Sequence, residues 1–273
     1  MLGEIFSNVL MQLVYFVGYV FLLGFLISLC NRWFYRLTGH GRAVCLATGL
    51  IGTPVHELSH ALMAILFGHK IDEIKLFQVD DENGVLGYVR HSYNKRNLYQ
   101  VTGNYFIGVA PILLGSLVVC LAMKLLLPYT FSEVADYFSV LSELQGSGFS
   151  WSWFSYFFGV IGGIGDVVFV EISSYQWWIF FILAACIALH MNLSGADIKS
   201  ALGALPILAI VLIVVNLIMG YLTGNVYYTF LEYMNGFGGY LAGVLTFSLL
   251  LSVACVAIAA VVRGLISLIA RRR

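Results

Sequence analysis

Three ionisable residues lie close together in an otherwise apolar stretch, within the run HELSH at His56–His60. His56 and His60 are four positions apart, so on a helix both imidazoles lie on one face and can reach one Zn²⁺ ion. Glu57 is oblique to that face, and we expect it to act as a general base for a metal-activated water. The pattern H-E-x-x-H therefore predicts a zinc-dependent hydrolytic site.

The surroundings of the motif strengthen this interpretation. An ionised side chain at the centre of a bilayer helix costs about 2.5–3.5 kcal/mol. If the helix begins at Ala43 and rises about 1.5 Å per residue, His56 lies about 20 Å along it, within a hydrocarbon core about 30 Å thick. Polar side chains at that depth need a partner, and a bound metal ion provides one.

A catalytic zinc usually has three protein ligands and keeps a fourth position for water. The segment Ala188–Pro206 offers Asp197 as the third ligand, with His190 as a competing or additional ligand. Their depth along a helix leaves both within range of the first two histidines. Asn192 and Ser194 are expected to support a ligand or to contact substrate. The alternatives are an ordinary helix cap at Asp197 and a histidine satisfied by a backbone carbonyl at His190.

The composition indicates an integral membrane protein. Of the 273 residues, 60% are hydrophobic and 10% are charged, whereas soluble domains carry roughly 25% charged residues. The formal net charge is zero and no arginine-rich tract is present, so no nucleic-acid partner is expected. The five cysteines lie in apolar runs without C-x-x-C spacing, which argues against a thiolate metal site or a disulfide framework.

Six apolar runs are long enough to cross a bilayer, which takes about 20 residues. They are Val9–Cys30, Ala43–Gly68, Asn104–Leu127, Tyr175–Asn192, Gly203–Leu222 and Phe237–Val262. We therefore expect an all-α polytopic membrane protein with about six transmembrane helices, forming one domain over residues 1–273 with its core at 43–127 and 175–222. Residues 151–170 are either a seventh span or, as we prefer because Asp166 and several glycines interrupt them, a re-entrant segment.

A β-hairpin-like segment is predicted between the second and third spans, within the polar residues 69–103. Two β-prone runs, Ile74–Val79 and Val85–Tyr93, flank the Asn83-Gly84 pair, and this arrangement is typical of a hairpin. His69 and His91 also fall in this segment and are expected to be solvated.

The distribution of lysine and arginine favours one orientation in the membrane. It predicts a cytoplasmic location for the hairpin segment and for both termini. Residues 129–174, which are acidic and aromatic, are expected on the extracytoplasmic side. A bacterial inner membrane is the expected location.

Several motifs resemble those of the site-2 protease family, the intramembrane zinc metalloproteases. His56–Phe77 is similar to the opening of that family's core, in which an H-E-x-x-H helix leads through a glycine-containing exit into a β-like segment. Ile107–Ser116 (IGVAPILLGS) is similar to its second core helix, which contains glycine and proline. Met191–Lys199 (MNLSGADIK) resembles a later motif in which an Asn precedes a ligating Asp, although the usual Asp-Gly is Asp197-Ile198 here.

The resemblance implies a zinc-dependent intramembrane endopeptidase that hydrolyses peptide bonds of membrane-anchored proteins. It implies one Zn²⁺ per chain held by His56, His60 and Asp197, Glu57 as general base, and a hairpin edge that pairs with an extended substrate. The alternative is a non-proteolytic metal-binding membrane protein, acting as a regulator, a chaperone or a transporter-like protein. The expected partners are a membrane-anchored protein substrate and the lipid bilayer.

Overall fold

The computed structural model describes residues 2–39, 41–79, 84–146, 151–221 and 224–271. Its helices are α1 (Leu2–Leu13), a π-helical segment (Val14–Tyr19), α2 (Val20–Thr38), α3 (Gly41–Leu66), α4 (Leu98–Leu126), α5 (Pro128–Gly146), α6 (Trp151–Val170), α7 (Tyr175–Ala188), α8 (Gly195–Tyr221) and α9 (Gly224–Arg271). Strands β1 (Lys70–Lys75) and β2 (Tyr88–Ser92) pair antiparallel between α3 and α4. The first three helical elements are continuous along the chain and are called here the N-terminal helix.

Within the described residues, four helices are long and apolar enough to cross a bilayer. They are Gly3–Thr38, Leu98–Leu126, Gly195–Tyr221 and Val226–Ala270, and shorter apolar helices cover Phe158–Val170 and Tyr175–Ala188. Helix α3 has 26 residues but is not among the four, because the polar side chains of its motif lower its mean hydropathy. The predicted all-α polytopic membrane fold with a small two-stranded segment is confirmed.

The hairpin follows directly from the way α3 ends. Gly68 has a φ of +70°, and the amide of His69 donates to the carbonyl of Ala64 at 2.8 Å, which is the Schellman form of helix termination. The chain then enters β1 four residues earlier than the predicted run at Ile74. Asn83, part of the predicted turn, lies outside the described residues.

Helices α7 and α8, predicted as two separate crossings, follow one direction through the bundle. Helix α7 starts four residues after Glu171, which contacts Thr130 just beyond the end of α4. From the last residue of α7 onward, contacts with the N-terminal helix pair Ala188 with Asn31, Leu193 with Gly24, Asn216 with Gln12 and Gly220 with Ile5. As the residue number rises from 188 to 220, the residue number of the partner in the N-terminal helix falls from 31 to 5, so the chain runs antiparallel to that helix. The two helices are therefore halves of one crossing, interrupted at residues 189–194.

Helix α9 runs parallel to the N-terminal helix. The contacts between them pair Asn8 with Tyr227, Phe16 with Phe237 and Arg36 with Arg263. Since both helices are long enough to cross the membrane, Leu2 and Arg271 lie at opposite ends of the bundle, an arrangement that does not agree with the prediction that both termini share one face. Treating α7 and α8 as two crossings reversed the expected direction of α9.

Residues 129–174, predicted as an extracytoplasmic segment, fold mainly into the antiparallel helices α5 and α6. Contacts between the two helices and the residues that follow pair Thr130 with Glu171 and Tyr137 with Gly163. Phe138, which is 3% exposed, lies against Gly243 in the middle of α9. This pair therefore packs along α9 rather than beyond its end, and α6 is continuous where a seventh span or a re-entrant segment was predicted.

The parallel packing makes a topological prediction. Tags fused to the N- and C-termini should be accessible to a membrane-impermeant protease from opposite faces of sealed vesicles. A tag inserted at Lys95 should share the face of the N-terminal tag, because α4 runs parallel to the N-terminal helix, with Tyr105 beside Phe16 and Ile112 beside Gly24. Cleavage of both terminal tags from the same face would contradict the packing.

Candidate metal centre

His56, His60 and Asp197 converge inside the bundle. Their ligand atoms lie within 4.8 Å of one another. The two Nε2 atoms are 3.2 Å apart, and Asp197 Oδ1 lies 3.6 Å from His60 Nε2. Two nitrogen ligands at 2.0–2.1 Å from a tetrahedral zinc ion are about 3.3–3.4 Å apart, so the spacing of the imidazoles fits a single zinc ion.

The ring of His60 is fixed by a carbonyl that a proline leaves free. In α4 the carbonyl of Ile107 would normally accept from the amide four residues later, but Pro111 has no N–H. His60 Nδ1 lies 2.8 Å from this carbonyl oxygen instead. Because a carbonyl oxygen only accepts, His60 carries its proton on Nδ1 and leaves Nε2 bare.

The ring of His56 is fixed in the same way by the break between α7 and α8. Its Nδ1 lies 2.7 Å from the main-chain oxygen of His190, two residues after α7 ends at Ala188. His56 therefore also carries its proton on Nδ1. Two bare Nε2 atoms then face each other without a proton between them, and a cation bound by both would stabilise this arrangement.

Asp197 caps α8 with one carboxylate oxygen and faces His60 with the other. Its Oδ2 accepts from the amide of Ser194 at 2.8 Å, and Ser194 Oγ accepts from the amide of Asp197 at 3.1 Å. This reciprocal capping box gives the first amides of α8, which have no partner within the helix, an acceptor at the edge of the cavity. The helix cap and the ligand, predicted as alternatives, are therefore compatible in one carboxylate.

Gly108 lets α8 approach α4 closely enough to bring this carboxylate to the histidines. A Cβ atom at position 108 would lie 2.5 Å from the main-chain oxygen of Asp197 and 3.0 Å from Cβ of Ala201. Any larger residue would push the start of α8 away. The distance between the Asp197 carboxylate and the two imidazoles therefore depends on this glycine.

Glu57 is 6% exposed and lines a cavity of about 460 Å³ together with His56, His60 and Asp197. The hairpin forms the facing wall, with Val85, Gly87, Tyr88, Val89 and His91. A Cβ atom on Gly87 would lie 2.8 Å from Cγ of Glu57, so the hairpin packs directly on the side chain of the predicted base. The arrangement places a carboxylate beside the two histidines and Asp197, and a β-strand over both.

The other predicted site residues have different surroundings. His190 contributes its main-chain oxygen to the centre, while its Nδ1 lies 3.0 Å from the carbonyl of Cys186. Its ring is not part of the group of three. Ser194 is among the described residues that line the cavity and Asn192 is not; the amide oxygen of Asn192 accepts from Asn31 at 3.0 Å.

Two groups that hold the candidate centre in place were not identified from the sequence, the side chain of Asn31 and the carbonyl of Ile107. Asn31 is 1% exposed and donates to the carbonyl of Ala188 at 3.0 Å, where α7 ends. The available signal was an amide residue that immediately follows an apolar run. The carbonyl of Ile107 was signalled by Pro111, because a proline within a helix frees the carbonyl four residues before it.

The comparison with protein families agrees with this geometry. A family model described as Peptidase M50B-like matches residues 38–132. In this segment the chain is similar to the site-2 protease family. The resemblance seen in the sequence is thereby confirmed. No curated protein and no solved structure matches the chain.

The M50B-like segment contains α3, the hairpin and α4. It therefore includes the H-E-x-x-H motif and the carbonyl that fixes His60. Asp197 lies beyond the segment, so its place beside the motif comes from the packing of α8 on α4 alone.

Pro111→Ala should weaken zinc binding by the protein about tenfold, the lower end of the effect of losing a group that orients a ligand. The new amide at position 111 would compete with His60 for the carbonyl of Ile107. Zinc affinity can be measured on the purified protein by competition with a chelator. Pro206→Ala in α8 is the matched control, because it removes a helix proline without affecting a carbonyl that holds a ligand. Equal affinities in both variants would contradict this role of Ile107.

Proposed function

We propose that this protein is a zinc-dependent intramembrane endopeptidase that hydrolyses peptide bonds of membrane-anchored proteins. The observation that carries the proposal is the convergence of His56, His60 and Asp197 beside Glu57, in a chain with an M50B-like segment. When bound, zinc supplies a Lewis acid that polarises a carbonyl and lowers the pKa of water. Two imidazoles and one carboxylate form a donor set that suits this metal.

In this proposal Glu57 moves the protons of the reaction. It accepts a proton from the attacking water as the water oxygen bonds to the carbonyl carbon of the substrate. The C–N bond then breaks, and Glu57 passes the proton to the leaving amine. Its position against the hairpin and its burial favour this role, because a side chain packed on the wall of the cavity keeps one orientation.

The hairpin provides a place for the substrate. A transmembrane substrate in helical form hides its peptide bonds in its own hydrogen bonds, so the segment to be cleaved must be extended. We propose that it lies in the cavity along β2, where main-chain hydrogen bonds replace those lost on unwinding. The proposed setting is a bacterial inner membrane with the hairpin on the cytoplasmic face.

Glu57→Gln should abolish cleavage and keep the zinc. Losing a general base lowers the rate by about 10²–10⁴-fold, whereas the metal ligands stay intact. Cleavage of a membrane-anchored reporter in proteoliposomes and zinc content by elemental analysis measure the two effects. Leu58→Ala, which truncates an exposed residue on the same helix, is the control and should retain both. Cleavage by Glu57→Gln at the wild-type rate would exclude this mechanism, and a zinc-loaded wild type without cleavage would favour the non-proteolytic alternative.

The third ligand can be tested with two amide substitutions. Asp197→Asn keeps an oxygen that can cap α8 but removes the negative charge, so zinc content should fall sharply. His190→Asn should retain zinc, because His190 supplies a main-chain oxygen rather than its ring. If Asp197→Asn retains zinc and His190→Asn loses it, then His190 rather than Asp197 is the third ligand.

A further inference from the structure

A second pair of histidines lies where the hairpin meets the helices. His69 follows α3 and His91 is in β2, and their Nδ1 atoms are 2.9 Å apart. His69 is 5% exposed, so the expectation that it is solvated is wrong. The strand register, which places His91 opposite Ile71, brings the two rings together.

The hydrogen bonds of this pair determine which nitrogen atoms carry protons. His69 Nε2 lies 2.8 Å from the main-chain oxygen of Gln100 and must donate to it. A neutral His69 then has a bare Nδ1, which accepts from Nδ1 of His91. The remaining nitrogen of His91, Nε2, is left bare. Burial, and then the neighbouring His69, lower the pKa of His91, which favours its neutral form.

His69, which contacts His91, is itself held in place by its neighbours. The ring of Tyr93 stacks on the ring of His69, with centroids 4.9 Å apart. The side chain of Gln100 accepts from the amide of Asn94 and donates to the carbonyl of Gly68, both at 2.7 Å. His69 is therefore fixed at both nitrogen atoms and on one face, so it can hold the ring of His91 in one orientation.

His91 lines the same cavity as Glu57, His56 and His60. Its Nε2 has no hydrogen-bond partner among the described residues, whereas its Nδ1 is occupied by His69. Nε2 of His91 is therefore an acceptor on the wall of the cavity, on the strand that faces the proposed metal centre. In an extended peptide, the group that can donate to such an acceptor is a main-chain N–H.

We infer that His91 is a substrate-binding residue whose Nε2 accepts a hydrogen bond from a main-chain N–H of the peptide in the cavity, and that His69 positions it. The inference rests on the proposed function and adds a contact between the hairpin and the substrate. His91 thereby helps to select an extended segment, because a helical segment has its N–H groups occupied by its own carbonyls.

His91→Ala should raise KM for the reporter roughly three- to tenfold, the effect of one neutral hydrogen bond. The turnover number should change little, because a contact made equally in the ground state and the transition state affects binding only. His91→Gln, whose amide oxygen also accepts, should restore part of the affinity. Ser92→Ala is the matched control. Its hydroxyl donates to Asp72 at 3.1 Å, away from the cavity, so KM should stay at the wild-type value.

The positioning role of His69 has its own test. His69→Phe keeps an aromatic ring beside Tyr93 and removes the acceptor for His91, so it should raise KM to a similar extent. Combined with His91→Ala, it should cause no further rise, because the two residues act through one contact. A role limited to stabilising the hairpin would instead give additive effects and a lower melting temperature in both backgrounds.

Two results would overturn the inference. One is an unchanged KM in His91→Ala, and the other is a loss of activity that only follows the loss of folded, zinc-loaded protein in both His91 variants. Failure of the proposed function is distinguishable, since the wild type would then cleave no reporter. In that case the affinity for the reporter peptide is compared between the Glu57→Gln protein and the same protein carrying His91→Ala. Weaker binding by the double variant supports the contact, and equal binding or no binding by either protein excludes it.

Discussion

Inside a membrane every main-chain carbonyl needs a donor within the protein, and the candidate metal centre depends on two carbonyls that their own helices leave without one. Pro111 frees the carbonyl of Ile107, and the break after α7 frees that of His190. Each accepts from Nδ1 of a motif histidine. These two bonds put both protons on the outer nitrogens and leave both Nε2 atoms facing inward. Two interruptions of helical structure thus determine the protonation pattern that a metal site requires.

The break between α7 and α8 has a second consequence. It lets α8 begin beside Gly108 of α4, where its first amides have no partner within the helix. Ser194 and Asp197 satisfy them through the capping box, and Gly108 leaves the space for this approach. A carboxylate enters the centre because a helix begins there. With Glu57 ionised, the two carboxylates would balance the charge of a divalent cation, which lowers the cost of burying it.

The same break determines how the chain crosses the membrane. Because α7 and α8 together make one passage, α9 runs parallel to the N-terminal helix. The hairpin connects α3 to α4 at the end of the bundle where the N-terminal helix begins, and it covers the cavity from that side. The His69 and His91 pair attaches the hairpin to the helices, so the strand edge proposed to bind substrate has a fixed position relative to Glu57.

The sequence by itself determined what depends on short separations along the chain. It indicated the membrane class, the pairing of His56 with His60 on one helical face, the glycine exit from α3 and a hairpin before α4, since helix period and turn preferences are local. It also singled out Asp197, although only with His190 beside it as a competitor. The tertiary structure decided the partners of each ring, which lie 47 and 134 positions away, and the common direction of α7 and α8. Apolar runs report the length of a helix but not its direction, and a carbonyl freed by Pro111 finds its donor only when α3 and α4 pack together.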